Sequence, residues 1–279
     1  MNKQLLDLIL SSFPKDFSEV LKFVKPTIGI KAGEKTQERE ATSKFGGSPD
    51  IPNGFNWPSF QGKPMAFLCQ IVLEEITGYE PSHLLPKTGV LYFFAHTALK
   101  DRFPEQTGEF KVMYEDVEKK NLQRAQSAND LMLSERNLKF FQHYTFPSYQ
   151  DHEMEVLSHK GIELDDFIDE NEFEIRELLL GNVDTPCHQI LGQPLALQGT
   201  VKYWWAAEHS KFAAPYSEKQ KTELCEMEKK FHLLLQIDLE NENLDIQNYL
   251  GDGMAYFGIH QDDLEIQDFS KALLVIQNT

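Results

Sequence analysis

The chain is short of cysteine, of basic residues and of long apolar runs, and each shortage excludes something. Only Cys69, Cys187 and Cys225 occur among 279 residues. They are odd in number, widely spaced and never arranged as CxxC, which points to reduced thiols rather than a disulfide scaffold. Lys and Arg number 27 against 44 Asp and Glu, a formal charge of −17. Neutralising nucleic-acid phosphates needs the opposite balance, so no nucleic acid is expected as a partner. No stretch reaches the roughly 20 apolar residues that span a bilayer, so no membrane is expected either. The opening run M-N-K-Q-L-L-D-L-I-L is broken by Asp7 and lacks a small-residue cleavage site, and a cytoplasmic protein is expected. GxGxxG, GxxxxGK[ST], HExxH, GxSxG and an EF-hand loop are all missing. With them go the common signatures of nucleotide, zinc-protease, serine-hydrolase and calcium chemistry.

The composition that remains is that of a folded protein. Hydrophobic residues make up 41%, with 20 phenylalanines, and a chain of this size buries about 70–75% of its extended surface. Leu5, Leu6 and Ile9, then Phe17, Val20, Leu21 and Val24, recur at helical spacing on either side of Pro14. Two amphipathic helices over 3–10 and 17–24 are expected, then a short strand at 27–31. Residues 44–58, K-F-G-G-S-P-D-I-P-N-G-F-N-W-P, hold too many glycines and prolines for a regular element and read as a long ordered loop. Strand alternation follows at 67–73, in V-L-Y-F-F-A from 90 and in F-K-V-M-Y at 110–114, an antiparallel meander. Residues 115–142 are polar, with Leu122, Ala125, Leu138 and Phe141 at helical spacing, and are expected to be helical. The stretch 163–177 carries eight carboxylates against Arg176 alone and reads as a solvated acidic segment. Ser217 followed by Gln220 signals a capped helix over 217–230.

The most informative feature is an internal repeat. L-C-Q-I-V-L-E at 68–74 matches L-L-Q-I-D-L-E at 234–240 at five of seven positions. G-V-L-Y-F-F-A-H at 89–96 matches G-M-A-Y-F-G-I-H at 253–260, and G-G-S-P at 46–49 corresponds to L-G-Q-P at 191–194. The interval Gly47 to Gln70 is 23 residues and Gly192 to Gln236 is 44, so one inserted helix near 217–230 accounts for the difference. Repeats over about 43–118 and 187–277, joined by a helical, acidic linker 119–186, are expected to pack as one composite α+β domain spanning 1–279.

These strings, together with L-L-P-K-T-G-V-L-Y-F-F and H-Q-I-L-G-Q-P-L-A-L-Q-G, closely resemble the YwqG-like family, DUF1963, over about residues 20 to 277. The resemblance implies a bacterial cytoplasmic protein with an α+β fold built by duplication. It implies no function. Leu191–Gly192 departs from the Gly-Gly pattern of the first loop, so the two loops need not do the same job.

Within the repeat, Gln70 and Gln236 sit mid-strand among apolar neighbours, where an amide needs partners. Alternation sets Tyr92 with His96, and Tyr256 with His260, on one strand face. A duplicated Gln, Tyr and His lining a cleft between the halves is one expectation. Asp238 and Asp252 would add acid–base or metal-binding range in the second copy only. The alternative is structural: each Gln bonds the backbone of the neighbouring loop, formed by Gly46, Gly47 and Pro49 or by Gly192 and Pro194. The histidines, at strand ends, are expected to be exposed. Trp57 and Trp204–Trp205 are expected to anchor loops, with ligand stacking the alternative. Cys187 and His188, adjacent on a strand, would point to opposite faces and not act as a pair. No cofactor is expected, and no metal, because no ligand pair stands at a recognised spacing.

Two functions follow from this inventory. The first is a non-catalytic binding protein, its charge steering it to a basic partner as an immunity-type inhibitor would be, with 163–177 the natural contact. The second is a small-molecule enzyme with its site at the junction of the two repeats.

Overall fold

In a computed structural model the chain is described except for residues 1–2, 35–40, 80–82, 100–107, 127–132, 149, 172–173, 176–177, 179–186, 242 and 279. Two short helices open it, α1 (Lys3–Ser12) and α2 (Phe17–Leu21). They bury Leu5, Ile9 and Val20 against α3 (His152–Ser158) and α4 (Leu164–Glu170), whose Met154, Leu157, Leu164 and Phe167 complete that cluster. The i, i+3, i+4 spacing read from the sequence is the face that makes this contact.

Ten strands form one antiparallel sheet. They are β1 (Lys25–Ala32), β2 (Lys44–Phe45), β3 (Ala66–Val72), β4 (Val90–Ala95) and β5 (Phe110–Glu115). The rest are β6 (Arg136–Thr145), β7 (His188–Ile190), β8 (Phe231–Asp238), β9 (Met254–His260) and β10 (Leu273–Gln277). Their order across the sheet is β10-β9-β8-β7-β1-β6-β2-β3-β4-β5. The order reads alike from either end. Each flank is a very short strand followed outward by three longer ones, and β1 and β6 pair over eight residues at the centre.

The expected helix over 115–142 is absent among the described residues, and with it goes a wholly helical 119–186 linker. Residues 136–145 form β6, a strand of ten residues, with the helices α3 and α4 following it. Leu138 and Phe141 look like a helical i, i+3 pair, but Leu138 and Phe140 face the shared core while Phe141 packs against Gly29 on the other side. The aromatic run K-F-F-Q-H-Y-T is strand material, and β1 supplies its hydrogen-bonding partner.

Alternation along the flanks sorts the side chains. Leu91 and Phe93 of β4, with Ala255, Phe257 and Ile259 of β9, enter one continuous core between the flanks. The sheet therefore curls until its two outer regions meet, as the ring contacts Phe110–Phe257 and Tyr114–Phe269 show at 6.4 and 5.3 Å. The opposite faces are covered separately. Phe55 and Trp57 of the long loop, with Phe60 just beyond it, cover β3 and β4. Over β8 and β9 the cover is α5 (Val201–Ser210), backed by α6 (Glu218–Glu228). Two helices, not one, thus account for the extra length of the second half. The Ser217–Gln220 capping box at α6 forms as the sequence predicts.

Candidate functional site

The residues singled out by the repeat form two matched latches. In the first flank, Gln70 Oε1 accepts from Asp50 N at 2.8 Å and its Nε2 donates to Thr42 O at 2.7 Å. The Tyr92 hydroxyl donates to Asp50 O at 2.6 Å. In the second, Gln236 Oε1 accepts from Leu195 N at 2.9 Å, Nε2 donates to Cys187 O at 2.6 Å, and Tyr256 donates to Leu195 O at 2.5 Å. Asp50 and Leu195 each follow the loop proline, Pro49 or Pro194. Gly46 and Gly47 take φ of 58° and 66°, and Leu191 and Gly192 take 61° and 77°. Leu191 holds a left-handed conformation where the first loop has glycine, so the sequence difference leaves the turn unchanged. All four Gln and Tyr side chains are fully buried.

This geometry removes the expected cleft. Phe93 and Phe257 face the junction of the flanks, so Tyr92 and Tyr256, one residue earlier, face away from it, each beneath its own cover. Gln70 and Gln236 lie five strand spacings apart, roughly 24 Å measured along the sheet. His96 and His260 are buried, not exposed. His96 packs edge-on to Phe60, while His260 stacks on His209 at 4.8 Å and its Nδ1 accepts from Asp262 N, capping the short helix α7 (Gln261–Glu265). Asp238 accepts from Cys187 N and Glu240 N, and Asp252 is exposed and bonded by Gln247. Gln70, Tyr92, Gln236 and Tyr256 thus hold loops, and His260 caps a helix.

His188 turns inward, away from any partnership with Cys187. Its Nδ1 accepts from Asp238 N at 3.0 Å and its Nε2 lies 2.7 Å from Asn241. Burial pushes its pKa down to about 3, so the ring is neutral. Trp57 anchors its loop, donating to Met65 O at 3.0 Å and packing on Phe94; Trp205 is fully buried and Trp204 half-exposed.

The two latches differ in charge. Beside Gln70, fully buried Lys44 donates to Asp50 Oδ2 at 2.5 Å, and Arg124 Nε donates to Asp50 Oδ1 at 2.8 Å. Burial lowers the Lys44 pKa while Asp50 opposes that shift. Neutral Gln189 takes the place of Lys44 beside Gln236. Outside the charged latch lies an open cavity of about 510 Å³, lined by Gly47, Ser48, Arg124 and Leu133–Arg136. Ser134 and Arg136 reach from it to Asp245 and Asn243 of the second half.

A second polar cluster escapes sequence reasoning altogether. His152 Nδ1 lies 2.9 and 3.1 Å from the Glu228 carboxylate oxygens and 3.8 Å from Cys225 Sγ. Cys225 and Glu228 are three residues apart on one face of α6, a signal too common to stand out. His152 is 73 residues distant from Cys225 in the chain.

The acidic stretch lies at the surface where it is described. Leu164 and Phe167 anchor α4, leaving Asp165, Asp166, Asp169 and Glu170 exposed and, among the described residues, without ion pairs. Glu172, Arg176 and Glu177 lie outside the described residues.

Residues 43–277 match the model of one protein family, described as "Domain of unknown function (DUF1963)". No curated protein matches the chain.

Proposed function

The chain belongs to the DUF1963 family, and we propose that it is a non-catalytic binding protein that meets a basic protein partner through the outer face of α4. The observation that carries this is the row of exposed carboxylates at Asp165, Asp166, Asp169 and Glu170, without ion pairs among the described residues, on a helix held by Leu164 and Phe167. They stand in a chain of formal charge −17, whose field speeds encounter with cations. An immunity-type inhibitor of a basic toxin domain in a bacterial cytoplasm is the setting we infer. Free thiols at Cys69, Cys187 and Cys225 agree with a reducing compartment. Among the described residues no helix is long and apolar enough to cross a membrane.

Underlying this is a further part of the same proposal: residues 43–118 and 187–277 are copies of one unit within a single domain. The matched latches, the β-bulges before Gln70 and Gln236 and the strand order support it. On that view the Gln, Tyr and His positions recur because the loop needs them, not because a substrate does.

The test is capture from native lysate with wild type and with the four α4 acids changed to amides. A basic partner is expected whose binding weakens steeply from low to physiological salt, as exposed charges are screened over about 8–10 Å. The amides should slow association more than they speed dissociation. A partner indifferent to both salt and amides would overturn the electrostatic reading.

The cavity beside Arg124 favours a second reading, a small-molecule enzyme at the junction of the two halves. Arg124, paired with Asp50 and Glu135, and Arg136 are the cations that line the cavity, and an anionic substrate would compete for them. Turnover by the purified protein that is lost in Arg124→Ala but kept in the four-amide variant would support it over the first.

A further inference from the structure

His152, Cys225 and Glu228 converge from two helices, α3 and α6. His152 is the first residue of α3, and Cys225 and Glu228 occupy the last turn of α6, whose start is set by the Ser217–Gln220 capping box. Tyr203 of α5 stands edge-on to the imidazole at 5.4 Å and helps to orient it. The thiol and both carboxylate oxygens approach the same ring nitrogen, Nδ1.

That convergence decides between two chemistries. In a nucleophilic Cys–His–acid array the thiol and the acid use opposite nitrogens of the ring, one to lose a proton and one to orient the base. One nitrogen cannot serve both. Nitrogen, sulfur and oxygen donors within 4.8 Å of one another are instead a set that a metal ion could gather.

We propose that His152, Cys225 and Glu228 form a binding site for a divalent transition-metal ion of the zinc class. Nitrogen, sulfur and oxygen donors are the set such ions accept, and three protein ligands with one open position is the arrangement of accessible zinc sites. Tetrahedral bonds of about 2.0–2.3 Å place sulfur and nitrogen about 3.6 Å apart and nitrogen and oxygen about 3.3 Å apart. The nitrogen–sulfur and nitrogen–oxygen separations of 3.8 and 2.9 Å need shifts of only a few tenths of an ångström, and all three donor atoms lie within 4.8 Å of one another. On binding, the Cys225 thiol gives its proton to solvent and becomes a thiolate, while neutral His152 binds through Nδ1. Thiolate and carboxylate then balance the charge of the ion, which suits buried Glu228. His152 and Cys225 are partly exposed and give the ion a way in. The site is independent of the α4 surface, and neither proposal depends on the other.

The test uses the full-length chain after dialysis against a chelator, titrated with Co²⁺ and then Zn²⁺. One equivalent of Co²⁺ should bind with near-ultraviolet thiolate-to-cobalt absorption, and Zn²⁺ should displace it and raise the melting temperature. Cys225→Ser should abolish the band and Cys187→Ser should leave it intact. His152→Gln and Glu228→Gln should weaken binding about a hundredfold, since even outer-shell changes cost about 10–100-fold. Circular dichroism of each metal-free variant separates lost ligation from lost folding. Sub-stoichiometric uptake by wild type, a band that follows Cys187, or Cys225→Ser binding as tightly as wild type would each overturn the site.

Discussion

Phe93 and Phe257 meet edge to face, ring centroids 5.1 Å apart at 67°, although their strands lie next to opposite ends of a ten-stranded sheet. The contact closes the shared core between the flanks. Truncating either ring to alanine should cost about 3–5 kcal/mol. In a double-mutant cycle the pair should couple by about 0.5–1.5 kcal/mol. Strict additivity in urea denaturation would mean that the two flanks do not share this contact in solution.

Gln236→Leu should leave Leu195 N and Cys187 O without their partners and cost about 1–3 kcal/mol. Gln70→Leu should cost at least as much, because Asp50 loses a donor as well. Chemical denaturation measures both. An unchanged midpoint for either variant would show that its loop is held by something other than the latch.

Lys44 and Asp50 form a buried ion pair whose worth lies in being complete. Asp50→Ala leaves the Lys44 ammonium buried without its carboxylate and should destabilise by about 3–5 kcal/mol. Replacing the pair together, Lys44→Met with Asp50→Asn, should recover much of that loss. If the double variant is no more stable than Asp50→Ala, the pair contributes through shape rather than charge.

His188 makes the fold acid-sensitive. Its folded pKa of about 3 lies below the ordinary 6.5, so the unfolded chain takes up the proton first. Stability is complete above pH 6.5 and is lost as pH falls towards 3, by about 2 kcal/mol between pH 7 and 5. Asp151 acts in the opposite sense: burial raises its pKa to about 6, and protonating it over the same range returns about 1 kcal/mol. His188→Gln, whatever its stability at pH 7, should lose about 2 kcal/mol less than wild type on going to pH 5. Parallel pH profiles for the two proteins would remove His188 as the cause.

Much of this molecule is local and therefore legible from the chain. The helices at 3–12 and 218–228, the meander and the partners of Gln70 and Gln236 follow from spacing, capping and the need of a buried amide for hydrogen bonds. Residues 136–145 were not legible, because a polar and aromatic segment chooses strand only when β1 is beside it to pair. Alternation correctly grouped Tyr92 with its neighbours, but which face turns outward depends on how the sheet curls, and that is set by contacts such as Phe93–Phe257. Likewise the charged pair of Lys44 with Arg124 and Asp50, and the meeting of His152 with Cys225 and Glu228, join residues far apart in sequence. Side-chain type and spacing carry the information for elements a few residues long. Which donors share a point in space is decided only when distant elements pack, because burial, not sequence separation, sets what they touch.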